Sequence, residues 1–528
     1  MSKKKNVLLI IADQMRFDTI NALGYEDVIT PNLDRLVNSG CSFTHCFSSN
    51  PVCMPARHDL LVGLPSSSHG YLANREMPIK DYGLPTLPRI FSENGYRTAA
   101  IGKMHFYPAT MHHGYSEMHL MEELPKVREN DEYAMYLKEN GEEQIQNIHG
   151  IRPALYHEPQ IAQVDYPLYE TNWIKDRTIK WLEDNNNNPF FLAVGFIKPH
   201  PPWDIPKGYE NLYKDKKLRK SVEKSRLFFD HPEHNIWYGD DDSEEEKEKI
   251  RKAYYTSITL VDESVGNILD YLEANNLVDD TLIIFTADHG EMLGDKGYYS
   301  KELPYDGSVR VPLIMSNKHL FKQNSKNNDL VDLIDIFPTC LEAAELPILK
   351  NLYGSSLLDT KKGKDREYVF SASGFLSTKR FVMCQNKKYK YVYHYNGGFE
   401  EIYDLENDKY EINNLINEML LSKELKEFRE KVLLYEKEWG PSNCVVDNKL
   451  VSFETEMFDP SVHGKYHKWS NLQFQKFIEK DFRDRKKQFL CEFDKAMSHK
   501  EFETSNLEYK KMFNECLEQF SNDTLEKY

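Results

Sequence analysis

Unbroken runs of hydrophobic residues recur along the chain at NVLLIIA (6–12), YRTAAIG (96–102), PFFLAVGF (189–196), TLIIFTA (281–287) and VPLIM (311–315). Continuous rather than alternating hydrophobicity predicts strands covered on both faces. Between these runs, apolar positions step by three or four residues. They do so at Leu33 to Val37, at Leu87 to Phe91 and in the long series Ile250, Tyr254, Ile258, Val261, Val265, Ile268, Leu272, which predicts helices with one buried face. Strands alternating with helices predict an α/β fold: a mostly parallel central sheet sandwiched by helices, with ligands gathering beyond the carboxyl ends of the strands.

After about residue 365 the pattern changes to tyrosine-rich alternating segments, REYVFSAS, RFVMCQ and YKYVYHY, followed by EIYDLENDKYEINNL and a charged helical stretch near 418–438. Alternation of this kind predicts a small antiparallel sheet with a helix against it. The expected organisation is therefore a catalytic α/β domain over 1–365, a C-terminal α+β subdomain over 366–440, and a helical tail over 441–528. The tail, with FQKFIEKDFRDRKKQFLCEF as its most amphipathic stretch, would cover the active site or join two copies of the chain as a homo-oligomer. The acidic run GDDDSEEEKEK (239–249) is read as a solvated loop, NNNN (185–188) as a loop ending a helix, and no internal repeat is visible.

A chain of 528 residues exceeds the size at which one core usually keeps growing, which agrees with more than one unit. Its balance of 40% hydrophobic and 29% charged residues is that of a soluble globular enzyme. Acids outnumber Lys and Arg by 84 to 67, giving a net charge of −17, and this argues against nucleic acid as a partner. An anionic substrate would need a local cluster of cations. The start, MSKKKNVLLIIADQ, has three lysines before an apolar run, but the run is too short for a signal peptide and leads into Asp13. It is read as a buried strand. No stretch approaches the ~18 apolar residues that span a membrane. The eight cysteines are scattered, with no C-x-x-C pair, so the expected location is a reducing cytoplasm.

Four of the predicted strands end in polar residues that an ordinary core strand would lack. The first ends in Ala12-Asp13-Gln14 and TLIIFTA ends in Asp288-His289-Gly290; these two pairs of oxygen and nitrogen donors would hold a divalent cation. The other two run into Gly102-Lys103-Met104-His105 and Lys198-Pro199-His200. With Lys301 they make a cationic pocket in an acidic protein. One further motif stands out: Cys53-Met54-Pro55-Ala56-Arg57, a C-x-P-x-R pattern expected by chance only about 0.01 times in a chain of this composition.

CMPARHDLLVG resembles the signature of the formylglycine-dependent sulfatases. The resemblance extends in order and approximate spacing through the N-terminal ADQ, GKMH, KPHPPW, TADHGEMLGDKGYYSK, SVRVPLI and EIYDLENDKYEINNL. It covers about the first 440 residues and leaves the tail outside. It implies that Cys53 is the precursor of formylglycine, produced by a formylglycine-generating maturation enzyme that reads the motif in the unfolded chain. It also implies that Asp13, Gln14, Asp288, His289 and position 53 bind the metal, while Arg57 and Lys103 neutralise charge on the modified side chain. His105 would remove the proton whose loss expels sulfate, and His200, helped by Lys301, would protonate the leaving oxygen. Asn74 would contact the ester.

Two departures from the family pattern bear on metal and substrate. Many sulfatases carry two adjacent Asp after the first strand and an Asp-Asn later, where this chain has Asp13-Gln14 and Asp288-His289. An amide in place of a carboxylate, and an added imidazole, make Mn2+ a competitor for the expected Ca2+. The related phosphonate monoester and phosphodiester hydrolases have a similar set, but other residue types tend to stand where Lys103 and His105 stand here. A sulfate monoester is therefore preferred, and a phosphonate monoester or phosphodiester is the alternative. The alcohol portion would be recognised by residues 106–166, by loops after His200 and by the tail. The histidines of TMHHGYSEMHL would be structural, with contact to a sugar or choline-like group as the alternative. With a cytoplasmic location, a small imported sulfate ester is expected.

Overall fold

The computed structural model describes residues 4–75, 84–152, 155–224, 242–358, 366–420, 422–456, 488 and 491–498. Its strands in chain order are β1 Asn6–Ala12, β2 Cys41–Phe47, β3 Arg97–Gly102, β4 Glu117–Leu120, β5 Gln160–Ile161, β6 Phe190–Phe196, β7 Asp204–Ile205, β8 Thr281–Thr286, β9 Arg310–Val311, β10 Leu313–Ser316 and β11 Ser325–Asp332. There follow β12 Val369–Ser373, β13 Phe381–Gln385, β14 Tyr389–His394, β15 Glu400–Asp404, β16 Val445–Val446 and β17 Lys449–Leu450. The large sheet has the order β11-β2-β10-β8-β1-β6-β3-β4, with β9 added to β2.

The continuous apolar runs occupy the middle of this sheet. β1 is buried at every position and lies between β6 and β8, parallel to both, with Val7 opposite Phe191 on one side and Leu282 on the other. β3 continues the parallel order beyond β6. Burial on both faces is what uniform hydrophobicity requires. β10 and β9 depart from the parallel arrangement: β10 pairs antiparallel with β8 and β2, and β9 antiparallel with β2. The sequence reading does not include β2, β4 or β11. The first half of β11, Ser325 to Asp329, is polar and partly exposed at the sheet edge, so it lacks an apolar run.

The long apolar series lies on a helix that begins earlier than its first apolar residue, at Glu244, and ends at Ala274. Ser243 caps it, its side chain accepting from the backbone of Glu246 while Glu246 reaches back to Ser243. The part of the acidic run expected as a loop is therefore a helix start: Glu244, Glu245 and Glu246 sit in the first turn, where the positive end of the helix dipole stabilises carboxylates. The helix Glu170–Asn185 ends on the first residue of NNNN.

β12 to β15 form an antiparallel sheet, and the helix Lys423–Trp439 lies on it. Leu425, Phe428, Val432 and Tyr435 pack with Val382, Cys384, Tyr391 and Ile402, and Tyr435 stacks on Phe370 at 4.4 Å. The stretch expected as a helical tail starts differently. β16 and β17 make a hairpin against this unit, and among the described residues of the tail those at 488 and 491–496 are helical. There Phe493, Ala496 and Met497 are buried, and Glu492 accepts from the backbone N–H groups of Gln146 and Asn147 at 2.9 and 3.1 Å. That part of the tail therefore sits on the catalytic unit of its own chain. FQKFIEKDFRDRKKQFLCEF otherwise lies mostly outside the described residues. Among the described residues no helix is long and apolar enough to cross a membrane.

Arg380 and Glu436 lock the helix Lys423–Trp439 to β13. Both side chains are fully buried, with Nη2 to Oε1 at 2.6 Å and Nε to Oε2 at 3.1 Å. Removing one partner strands the other charge in the interior, which costs about 3–5 kcal/mol. Glu436→Ala is expected to destabilise the C-terminal unit by that amount, read as the shift of its urea midpoint, followed by Trp439 fluorescence, multiplied by the m-value. The double change Arg380→Met, Glu436→Leu should recover most of the loss. A single mutant as stable as the parent would show that the pair does not hold this unit.

Candidate active site

The four polar strand ends are neighbours in space because β8, β1, β6 and β3 are neighbours in the sheet. Asp288-His289 follow β8, Asp13-Gln14 follow β1, Lys198 and His200 follow β6, and Lys103 and His105 follow β3. At the β3 and β6 ends the backbones approach so closely that a Cβ on Gly195 would meet the Lys103 carbonyl oxygen at 2.2 Å. Gly102 adopts a φ of 91°, in the left-handed region that glycine reaches without strain. Gln14 and His105 turn the chain with positive φ despite having side chains, at 64° and 56°; strained backbone of this type concentrates at functional sites.

Cys53 is the first residue of the helix Cys53–Val62 and is completely buried. Its Sγ lies 3.1 Å from Lys301 Nζ and 3.1 Å from His289 Nε2. Asn74 Oδ1 accepts the N–H of Met54 at 2.9 Å, so this exposed side chain braces the helix start next to Cys53. Arg57, one turn along, reaches back with three donors: Nε to Asp288 Oδ2 at 2.8 Å, Nη2 to Asp13 Oδ2 at 3.0 Å and Nη1 to the Lys103 carbonyl at 2.6 Å. Lys103 Nζ also meets Asp13 Oδ2, at 2.7 Å.

One donor atom each from Asp13, Cys53, Asp288 and His289 falls within 4.8 Å of the others. Two carboxylates and an imidazole make a donor set for a divalent cation. His289 fits that role in its tautomer. Its Nδ1 faces the Gly290 carbonyl at 3.0 Å, which can only accept, so Nε2 turns a lone pair into the cluster. Gln14 lies alongside, its carboxamide oxygen accepting from Lys301 Nζ at 2.7 Å and its nitrogen donating to Glu291.

The electrostatics follow from burial and these contacts. Burial and the neighbouring Cys53 would raise the Asp13 carboxyl, but Lys103, His200 and Arg57 hold it well below the ordinary range. Burial would raise the Cys53 thiol, yet Lys301, Lys103, His289 and a side-chain hydrogen bond from His105 carry it far down. The second carboxyl, Asp288, is raised by burial and by Asp13. His200 is lowered to about 4, chiefly by burial and further by Lys301 and Lys103 against the opposing pull of Glu123. The neutral ring has a definite tautomer. Nδ1 donates to the Pro201 carbonyl at 2.6 Å, so Nε2 is the acceptor and receives Lys301 Nζ at 2.9 Å.

Several residues that shape the site are absent from the sequence reading. Glu122 accepts the N–H groups of Met104 and His105 at 3.1 and 2.9 Å and fixes that turn. Glu123 pairs with Lys103 and Arg152, and Arg152 lies over the Tyr156 ring at 5.2 Å. Both acids follow β4, whose EMHL is too short and too polar to read as a strand, so the strand-end rule is not triggered there. Glu291 stands inside the quoted TADHGEM stretch and could have been singled out. The histidines of TMHHGYSEMHL are engaged elsewhere: His113 packs on Phe106 at 4.6 Å, His112 Nδ1 meets the Tyr115 carbonyl at 3.0 Å, and His119 pairs with Glu132.

A sulfatase family model matches residues 5–346, and a model of the N-sulphoglucosamine sulphohydrolase C-terminal region matches residues 294–438. An arylsulfatase of Clostridium perfringens is 30% identical over 485 residues, spanning 85% of this chain and 97% of its own. A choline-sulfatase of Rhizobium meliloti is 26% identical over 534 residues, covering 91% and 96%. The solved phosphonate monoester hydrolase of Agrobacterium radiobacter superposes with a TM-score of 0.71 at 25% identity, covering 82% of this chain and 96% of that one. The chain therefore belongs to the sulfatase family, the type I sulfatases of the alkaline phosphatase superfamily, and is a sulfatase hydrolase.

Proposed function

We propose that the protein hydrolyses a small sulfate monoester through formylglycine made from Cys53, with a divalent metal held by Asp13, Gln14, Asp288, His289 and position 53. The observation that carries this reading is the convergence on one buried side chain: Cys53 Sγ stands at a helix start within 3.1 Å of both Lys301 Nζ and His289 Nε2, with Asp13 Oδ1 at 3.9 Å. A maturation enzyme as partner, Ca2+ as metal with Mn2+ as the alternative, and a cytoplasmic location belong to the same proposal. Both named relatives, an arylsulfatase and a choline-sulfatase, take their names from small sulfate esters, and this supports a small substrate.

The metal would supply charge neutralisation and a lowered proton affinity at an oxygen it holds. Hydrated formylglycine would supply two hydroxyls on one carbon, one to displace the alcohol and one whose ionisation expels sulfate. The chain's own residues divide the remaining work. Arg57 and Lys103 keep position 53 in a positive field while anchoring Asp13 and Asp288. His105, whose side chain reaches position 53, is placed to take the proton that releases sulfate. On the leaving side His200, with Lys301 Nζ 2.9 Å from its Nε2, would protonate the departing oxygen, the two side chains acting as a pair. General acid assistance of this kind contributes roughly 10²- to 10⁴-fold.

The second reading is a phosphonate monoester or phosphodiester hydrolase, favoured by the Agrobacterium radiobacter neighbour. Lys103 and His105 weigh against it, because they stand where that group tends to carry other residue types.

Four measurements test these readings. Mass spectrometry of the tryptic peptide containing position 53, from protein produced with a maturation enzyme, is expected to show loss of the sulfur and gain of an aldehyde. Cys53→Ala should lose activity by several orders of magnitude, and an intact thiol in fully active enzyme would refute the mechanism. On matched aryl sulfate, phosphonate monoester and phosphodiester, the sulfate should give the highest kcat/KM; turnover of phosphorus esters alone would select the alternative. Lys301→Ala is expected to cost about 10²-fold or more on an alkyl sulfate, whose leaving group needs a proton, and clearly less on nitrophenyl sulfate. Equal losses on both would remove Lys301 from the proton-donating role.

A further inference from the structure

We propose that Glu123 is a specificity-determining residue of this pocket: a fixed negative charge beside Lys103 and His200 that admits a singly charged ester, disfavours a doubly charged one and hastens departure of the doubly charged sulfate product. The proposal rests on the reading of Lys103, His200 and Lys301 as the residues around the ester's anionic group and leaving oxygen.

The observations are geometric. The Glu123 side chain is only 12% exposed and makes ion pairs with Lys103 Nζ and Arg152 Nη2, while its Oε2 lies 3.7 Å from His200 Nε2. Two cations in contact keep it ionised: burial would raise its carboxyl, but Arg152, His200 and Lys103 hold it well below the ordinary value. It is anchored from the wall side as well, since Arg152 lies over Tyr156, whose ring meets that of His200 edge-on at 6.2 Å.

The consequence lies in the distribution of charge. The Arg57 guanidinium is engaged by Asp13 and Asp288, and Lys103 is shared between Asp13 and Glu123. The positive charge left for an incoming anion is therefore that of Lys301, which contacts Gln14, Cys53 and His200 rather than a carboxylate, together with the metal the site would hold, and Glu123 offsets part of it. A sulfate monoester brings one negative charge, whereas a phosphate monoester brings two once pH exceeds about 6. A nearby carboxylate repels the second twice as strongly as the first. Hydrolysis itself moves along this axis: as the ester bond breaks and water adds, a monoanion becomes neutral alcohol, a sulfate dianion and a released proton. Glu123 therefore opposes the product more than the substrate.

The test compares wild type, Glu123→Gln and Glu123→Asp, each matured and metal-loaded, at pH 8 on p-nitrophenyl sulfate, p-nitrophenyl phosphate and methyl p-nitrophenyl phosphate. Glu123→Gln is expected to raise kcat/KM for the dianionic phosphate about tenfold relative to each monoanion, and to tighten inhibition by inorganic sulfate by a similar factor. The ratio between the two monoanions should not move, and Glu123→Asp should keep the wild-type ratios. Parallel loss on all three substrates, or an Asp variant shifted as far as the Gln variant, would overturn the proposal. If wild type cleaves only phosphorus esters, the sulfatase reading fails, while the phosphate monoester to diester ratio still decides the role of Glu123. If Glu123→Gln turns over nothing, its calorimetric affinity for inorganic sulfate relative to methyl sulfate reads the same preference, and an unchanged ratio there refutes it.

Discussion

The site depends on the guanidinium of Arg57 standing between two buried carboxylates. Asp13 and Asp288 arrive on neighbouring strand ends with no exposed surface, and two like charges at that separation cannot both ionise in a dry interior without compensation. Arg57 bonds to each of them, and its third donor takes the carbonyl of Lys103, so one side chain ties β1, β8 and β3 to the helix that carries Cys53. Its planar fork spreads these bonds over three nitrogens, Nε, Nη1 and Nη2, whereas a lysine carries its donors on one nitrogen and would need all three acceptors gathered around a single point. The arginine of the C-x-P-x-R motif thus has a reason to persist in the folded protein apart from any part it plays in recognition of the nascent chain.

Around that bridge the pocket is built as two layers of opposite sign. Carboxylates and an imidazole lie at the floor, ready for a cation, and Lys103 and Lys301 stand over them. Lys301 touches Gln14, Cys53 and His200 together and so connects the loop after β1, the start of the Cys53 helix and the loop after β6. Glu291 steadies this link by accepting from Gln14 and from the backbone of Leu293 and Ser300. The parallel centre of the sheet makes such convergence possible, because strands running the same way deliver four consecutive loops to one edge.

The central strands β1, β3, β6 and β8 were legible because burial on both faces leaves an unbroken apolar run. The four polar strand ends were legible because an aspartate, lysine or histidine directly after such a run breaks the pattern. β11 was not, since an edge strand can face water with Ser325, Lys326 and Asn327, and periodicity then carries no signal. Glu123 and Arg152 escaped for a different reason. They sit in irregular stretches between β4 and β5, on either side of the helix Glu132–Glu139, where position in space owes nothing to spacing in sequence, and only the fold shows that they meet. The acidic run misled for a third reason, because a solvated loop and the capped first turn of a helix call for the same residue types.

The complete enclosure of Cys53 has a consequence for biosynthesis. Its sulfur is shielded by His289 and Lys301, which are encoded more than 230 positions later. At a translation rate of roughly 5–20 residues per second, those shielding groups emerge about 10–50 s after the cysteine does. Under the proposed mechanism, an enzyme that converts this side chain would have to act on the ribosome-bound or freshly released polypeptide, and molecules that close before conversion would stay inert. Yield of competent protein would then be governed by a race between collapse of the sheet and the catalyst that visits it, so slower elongation or cooler growth should enrich the functional fraction without any change in sequence.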